Sequence, residues 1–132
     1  MTSERATFVW PTLRYRDAPV AIRFLVDTFG FEEVAVYSSD DGSVVEHAEL
    51  RWPRGGGVML GSVRDDSTIA GLPAGTGGIY VVTDDPDGLY ARVLAAGVPI
   101  TGELRDEDYG SRGFTCQDPE GVFWSFGTYA GA

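Results

Sequence analysis

Apolar residues recur along this chain at two spacings, and the changes from one spacing to the other mark out its elements. Thr7 to Tyr15 (TFVWPTLRY) is rich in β-branched and aromatic residues and predicts a strand, with Pro11 suited to an edge or strand end. Asp17 is placed to cap a helix that has Pro19 in its first turn. Ala18, Ile22, Leu25, Val26 and Phe29 then recur at helical spacing, and Gly30 supplies the stop. Strands are predicted over Phe31 to Tyr37, Val44 to Trp52 and Gly57 to Val63, with a turn at Asp40-Asp41-Gly42.

The same order returns further on. Gly78 to Thr83 predicts a strand, Asp84 or Asp85 a cap, and the following helix ends at Gly97. Val98 to Leu104, Gly113 to Gln117 and Val122 to Tyr129 complete the set. Pro53 to Val63 can be laid on Pro119 to Tyr129 without a gap, at an offset of 119 − 53 = 66. Asp17 and Asp85 correspond at 85 − 17 = 68, and Gly30 and Gly97 at 97 − 30 = 67. Agreement in order, caps and spacing predicts a duplication: module one over 7–63, a polar Gly/Pro-containing connector over 64–76, and module two over 77–129. Each unit reads β-α-β-β-β. The expectation is therefore one α+β domain of about eight strands, its helices on one face and its other face curled around a cavity.

Composition narrows the function. The 132 residues are 43% hydrophobic and 12% aromatic, enough for a packed core. No apolar run approaches the roughly 20 residues that span a bilayer. Met1-Thr2-Ser3-Glu4-Arg5 has no secretory pattern, so a soluble cytoplasmic protein is expected. A net charge of −10 argues against nucleic-acid backbones as partners. It either keeps the surface soluble or draws a cationic small molecule to an acidic groove, and no membrane partner is expected. Single residues, Cys116 and His47, exclude an internal disulfide, a thiolate cluster and a multi-histidine metal site within the chain. There is no lysine for a Schiff base, no phosphate-cradling loop and no Ser-His-Asp set.

Leu13-Arg14-Tyr15-Arg16-Asp17, Phe29-Gly30-Phe31, His47-Ala48-Glu49-Leu50, Tyr109-Gly110-Ser111-Arg112 and Asp118 to Phe126 together resemble the vicinal oxygen chelate superfamily. That is the glyoxalase, bleomycin-resistance and extradiol dioxygenase group, and the likeness covers residues 8 to 129. It implies two βαβββ modules in an open, barrel-like mixed sheet, commonly in a homodimer. Unpaired sheet edges favour the same assembly. Metal-dependent members place one ligand on each of four strands, and the pattern falls here on Trp10, Met59, Gly78 and Ser125. None of these offers the imidazole or carboxylate that a divalent ion requires, and neither do their neighbours Val9, Pro11, Val58, Leu60, Ile79, Trp124 and Phe126. No metal or other cofactor is expected.

Strand alternation sorts the faces. Trp10, Thr12 and Arg14 are expected in the cavity, with His47, Glu49, Arg51 and Met59 beside them. Module two contributes Tyr80, Thr115, Gln117, Phe123 and Ser125. Tyr109 and Arg112 are read as a loop at the cleft mouth, Arg112 either holding a carboxylate or phosphate or pairing with a nearby acid. Cys116 is read as a core thiol. His47 and Glu49, two apart on one strand, suit an ordinary hydrogen-bonded pair or a weak general base.

The function expected is metal-free binding of an aromatic, preferably cationic, small molecule, in the manner of the bleomycin-resistance branch. The alternatives are a metal-dependent lyase, isomerase or oxygenase with a non-standard ligand set, and acid–base catalysis by His47 and Glu49.

Overall fold

A computed structural model describes residues 9–64 and 73–130 of the chain. Thr7 and Phe8 of the first predicted strand, and most of the predicted connector, lie outside the described residues. Module one runs β1 (Thr12–Tyr15), α1 (Ala18–Phe24), β2 (Glu32–Ser38), β3 (Val45–Arg51) and β4 (Gly57–Ser62). Module two runs β5 (Gly78–Val82), α2 (Pro86–Ala95), β6 (Ile100–Asp106), β7 (Arg112–Gln117) and β8 (Phe123–Gly127).

Both helices begin alike. Asp17 Oδ1 accepts from the Val20 N–H at 3.3 Å and Asp85 Oδ1 from the Gly88 N–H at 3.0 Å, each with a proline in the first turn. Of the two aspartates offered for the second cap, Asp85 serves. The first helix does not stay α-helical to its stop: Leu25–Phe29 widens into a π-helical turn. Gly30 closes it at a φ of 99°, in the left-handed region open to glycine.

Within each module the first strand lies parallel to the last, and the two middle strands continue the sheet antiparallel. The orders are β1-β4-β3-β2 and β5-β8-β7-β6. Thr12 stands opposite Met59 and Arg14 opposite Gly61; Gly78 stands opposite Phe123 and Tyr80 opposite Ser125. The fold is therefore the expected pair of βαβββ modules in an open arrangement. The strands form two separate four-stranded sheets and do not close into a barrel.

The reason lies in the side chains between the sheets. α1 packs on β1 and β4, α2 on β6 and β7, and residues on these helix-bearing faces also join the modules. Phe29 meets Trp124 and Phe126, with ring centroids 5.3 and 4.9 Å apart, and Trp52 meets Phe31 at 4.9 Å and Phe126 at 6.0 Å. Aromatic pairs of this kind add about 0.5–1.5 kcal/mol each beyond the area they bury. Polar links flank the cluster. Buried Asp118 accepts from the Tyr15 hydroxyl at 2.6 Å and from the Trp124 Nε1–H at 3.0 Å. Glu120 accepts from the backbone N–H groups of Arg16 and Asp17, both at 2.7 Å. At the equivalent place across the repeat, Trp52 Nε1–H donates to the Val82 carbonyl at 2.9 Å and Arg54 pairs with Asp84. The two polar faces are turned away from this shared core.

Candidate ligand-binding faces

On module one the polar face is laid out in rows across the sheet. Thr12, Met59, Glu49 and Ala35 stand side by side, and the next row sets Arg14 against Gly61 and His47 against Tyr37. His47 Nε2 lies 2.9 Å from Glu49 Oε2, the pair expected from their spacing, and the Tyr37 ring stacks along the imidazole at 6.2 Å. Arg51 pairs with Glu32 directly opposite, at 3.1 Å. Trp10 covers Gly57, whose hydrogen leaves room for the indole. Arg14 lies over Gly61 in the same way. It is buried, and burial together with the positive charge of Arg64 holds its pKa below the usual guanidinium value.

On module two a cavity of about 170 Å³ opens on the polar face. Its floor is bare backbone at Gly102 and Gly113, with Gly127 buried beneath Tyr80; its sides are Tyr80 and Tyr109, and Thr115 and Ser125 stand at one side. Gly113 lies opposite Gly127, and Thr115 is opposite Ser125 with their hydroxyls 2.9 Å apart. Tyr80 is fixed by donating its hydroxyl to the Tyr129 carbonyl at 2.6 Å. Tyr129 in turn meets the Tyr109 ring edge to face at 5.8 Å. Glu103, Arg105 and Glu107 stand at the rim, Arg105 donating to Glu107 at 2.8 Å. Phe123 is exposed beside Gly78, and Gln117 donates to the Gly121 carbonyl of its own hairpin at 3.2 Å.

Of the expected lining residues, Tyr80, Tyr109, Thr115 and Ser125 share the module-two cavity. A separate space of about 410 Å³ between the modules is bounded by Trp52, Gly57 and Val58 on one side and Ile79 to Val82 on the other, and includes Tyr80 from that set. The module-two cavity is lined by module two alone. Arg112 takes the acid pairing offered as one of its two readings, but from a strand and not from a loop at the cleft mouth. It alternates with Gly113 to the helix-bearing side, where it donates to Asp87 of α2 at 2.8 and 3.0 Å and to Asp106 at 3.2 Å. These acids raise its pKa and leave it no role at the cleft mouth. Cys116 is buried, and desolvation pushes its thiol up to about 12, which suits a core residue and not a nucleophile. What sequence reasoning missed is the role of Asp118 and Glu120, read only through the family resemblance, whose two carboxylates link the modules. The glycine floor was missed as well. Its signal was present, since Gly102 and Gly113 fall at polar-face positions of strands.

A divalent ion does not fit these faces. Indole, thioether, hydrogen and a hydroxyl already bonded to Thr115 are poor donors for Zn²⁺, Fe²⁺ or Mn²⁺, and the buried cation of Arg14 shares a face with Met59. Among the described residues no three His, Cys, Asp or Glu side chains are grouped to hold a metal. Also among the described residues, no helix is long and apolar enough to cross a membrane.

Two βαβββ modules, each with a helix behind a mixed sheet, define the scaffold of the vicinal oxygen chelate proteins. Residues 7–126 match the Glyoxalase/Bleomycin resistance protein/Dioxygenase superfamily, and the chain belongs to it. An uncharacterized protein of Mycobacterium bovis is 34% identical over 126 residues, covering 89% of this chain and 80% of that one. The crystal structure of TioX from Micromonospora sp. ML1 superposes with a TM-score of 0.78 at 29% identity, covering 92% of this chain and 98% of that one. A glyoxalase/bleomycin resistance protein from Streptomyces sp. CB03234 is similar at a TM-score of 0.64 and 25% identity, covering 87% and 94%.

Proposed function

We propose that this protein binds and sequesters a flat small molecule without the help of a metal ion, seating one ring on the glycine floor of module two. The observation that carries this reading is the cavity itself. Gly102 and Gly113 leave backbone bare beside Tyr80, which itself covers Gly127, with two hydroxyls at one side to orient a polar substituent. About 150 Å³ accommodates benzene, so a space of about 170 Å³ takes one ring and little more. Drug-sized ligands occupy roughly 300–1,000 Å³, so the rest of a larger ligand needs a second wall. A second copy of the chain supplies that wall in this reading, which makes the working unit a cytoplasmic homodimer. Sedimentation at micromolar concentration should find the dimer; a monomer would leave the larger ligand without its second wall. The charge of −10 favours a cationic ligand, and the bleomycin-resistance name of the Streptomyces relative supports a drug-binding role.

Thermal-shift measurements with bleomycin and a set of planar aromatic cations test the proposal. A true ligand at 100 times its Kd stabilises by about 2.7 kcal/mol. Gly102→Val is the decisive variant. Its Cβ meets only the side of Thr115, at 3.5 Å, so the strand accommodates valine while the added methyls fill the cavity. The variant should fold normally and lose at least tenfold in affinity. No stabilisation by any of these compounds, or an undiminished shift in Gly102→Val, would count against the reading. A metal-dependent lyase, isomerase or oxygenase finds no ligand set among the described residues to support it, and the His47–Glu49 pair lies on the other module from the cavity.

A further inference from the structure

Of the two readings of Arg112, a bound anion or a nearby acid, the structure shows the acid, since Asp87 and Asp106 occupy it. The arginine that stands open is Arg14. Its side chain is 8% exposed, and Nε and Nη1 are buried with no hydrogen-bond partner among the described residues. A guanidinium does not escape such a position by deprotonating, because its pKa stays far above neutral even when burial lowers it. Buried donors without acceptors carry their full desolvation cost, and a charged group carries more of it than a neutral one.

The surroundings are built to hold the group. Gly61 faces Arg14 in the β1–β4 register, and the guanidinium lies where any Cβ at that position would stand. The repeat provides an internal control, since 14 + 66 = 80 and 61 + 66 = 127 place Tyr80 over Gly127 in module two. There the polar atom is satisfied by the Tyr129 carbonyl at 2.6 Å. Module one repeats the construction with the donors left over. Arg64 adds a second positive charge to this corner, its guanidinium donating to the carbonyls of Val45, Glu46 and Ser62 beside Gly61. Two guanidiniums together on a chain of net charge −10 run against the background charge of the molecule.

We infer that this corner of module one is an oxyanion-receiving site, in which Arg14 donates to the carboxylate or phosphate group of a small molecule. Arginine's stem has enough rotatable bonds to turn the open donors toward the polar face as the anion arrives. The site is separate from the module-two cavity, so either can fail while the other stands.

Inorganic phosphate and benzoate, titrated calorimetrically at constant ionic strength with chloride as reference, test the inference. The Arg14 Nε–H resonance in ¹H–¹⁵N spectra provides a second readout. One ion should bind per chain, move that resonance, and bind at least tenfold more weakly to Arg14→Gln. Preference for phosphate or for benzoate supports the site equally and identifies its anion. A response no different from chloride, or equal binding by Arg14→Gln, overturns it. Arg14→Met guards against a folding artefact: relieved of an open buried charge, it should melt no lower than wild type in chloride and gain nothing from either anion. If it melts well below wild type while wild type ignores both anions, the guanidinium serves the fold and the inference fails. Dimer dissociation in Arg14→Gln without anion binding would assign the carboxylate to a second copy, and overturns it too.

Discussion

The polar faces of the two modules occupy equivalent backbone and differ in almost every side chain. Arg14 and Tyr80 lie over Gly61 and Gly127; His47 answers to Gly113, Glu49 to Thr115 and Met59 to Ser125. One face is filled by its own charged side chains, and the other is aromatic and hollowed by glycine, with its charges at the rim. The helix-bearing faces diverged much less in kind, because Leu60 and Phe126, or Ala48 and Phe114, must still fill one core. Packing constrains one side of each sheet and leaves the other free to differ in chemistry.

If the shared core makes the modules one unit, damage to it should remove both faces together. Phe126→Ala, at a side chain 1% exposed that touches Phe29, Trp52 and Phe114, should cost about 3–5 kcal/mol. Denaturant unfolding followed by tryptophan fluorescence and circular dichroism should still give one transition, at lower denaturant. Two transitions would mean that the modules fold independently, and the comparison would then be between two domains.

The link between Tyr15 and Asp118 should show a smaller effect with a pH signature. Tyr15→Phe removes a buried hydrogen bond to a carboxylate, worth about 1.5–3 kcal/mol. Burial and the neighbouring Asp118 raise the Tyr15 pKa, so the folded state favours the protonated hydroxyl. That contribution is complete below the ordinary tyrosine value of about 10 and is lost as pH rises beyond it. Wild type should therefore lose stability above pH about 10 more steeply than Tyr15→Phe; parallel profiles would remove this link from the account.

His47→Ala should change least. The pair with Glu49 is partly exposed and worth about 0–1 kcal/mol, and it lies on the other module from the cavity. Affinity for a ligand of module two should not change. A tenfold loss would show that the charged face and the hollowed face act on one molecule.

Much of the fold was legible because its signals are local. Asp17 with Pro19 and Asp85 with Pro86 cap helices by short-range geometry, and the alternation of Val45–Arg51 assigns its faces directly. The strand predicted from Val98 to Leu104 begins two residues late and ends two late, at Ile100–Asp106, where register shifts around Gly102 interrupt simple alternation. Arg112 was misplaced although parity with Phe114 and Cys116 already put it on the helix-bearing side. Treating it as loop discarded that signal. The larger miss, how the two sheets pack on each other, was not local at all. It depends on Phe29, Trp52, Trp124 and Phe126 meeting across the modules, and on Asp118 reaching Tyr15 from 103 residues away.

Calorimetric titration of chelator-treated protein with the planar aromatic cation that most stabilises it addresses the central claim most directly. The account predicts one binding event per chain, the same affinity with or without added Zn²⁺ or Mn²⁺, and loss of binding in Gly102→Val. Binding that appears only when a divalent ion is restored, or that survives a filled glycine floor, would contradict it.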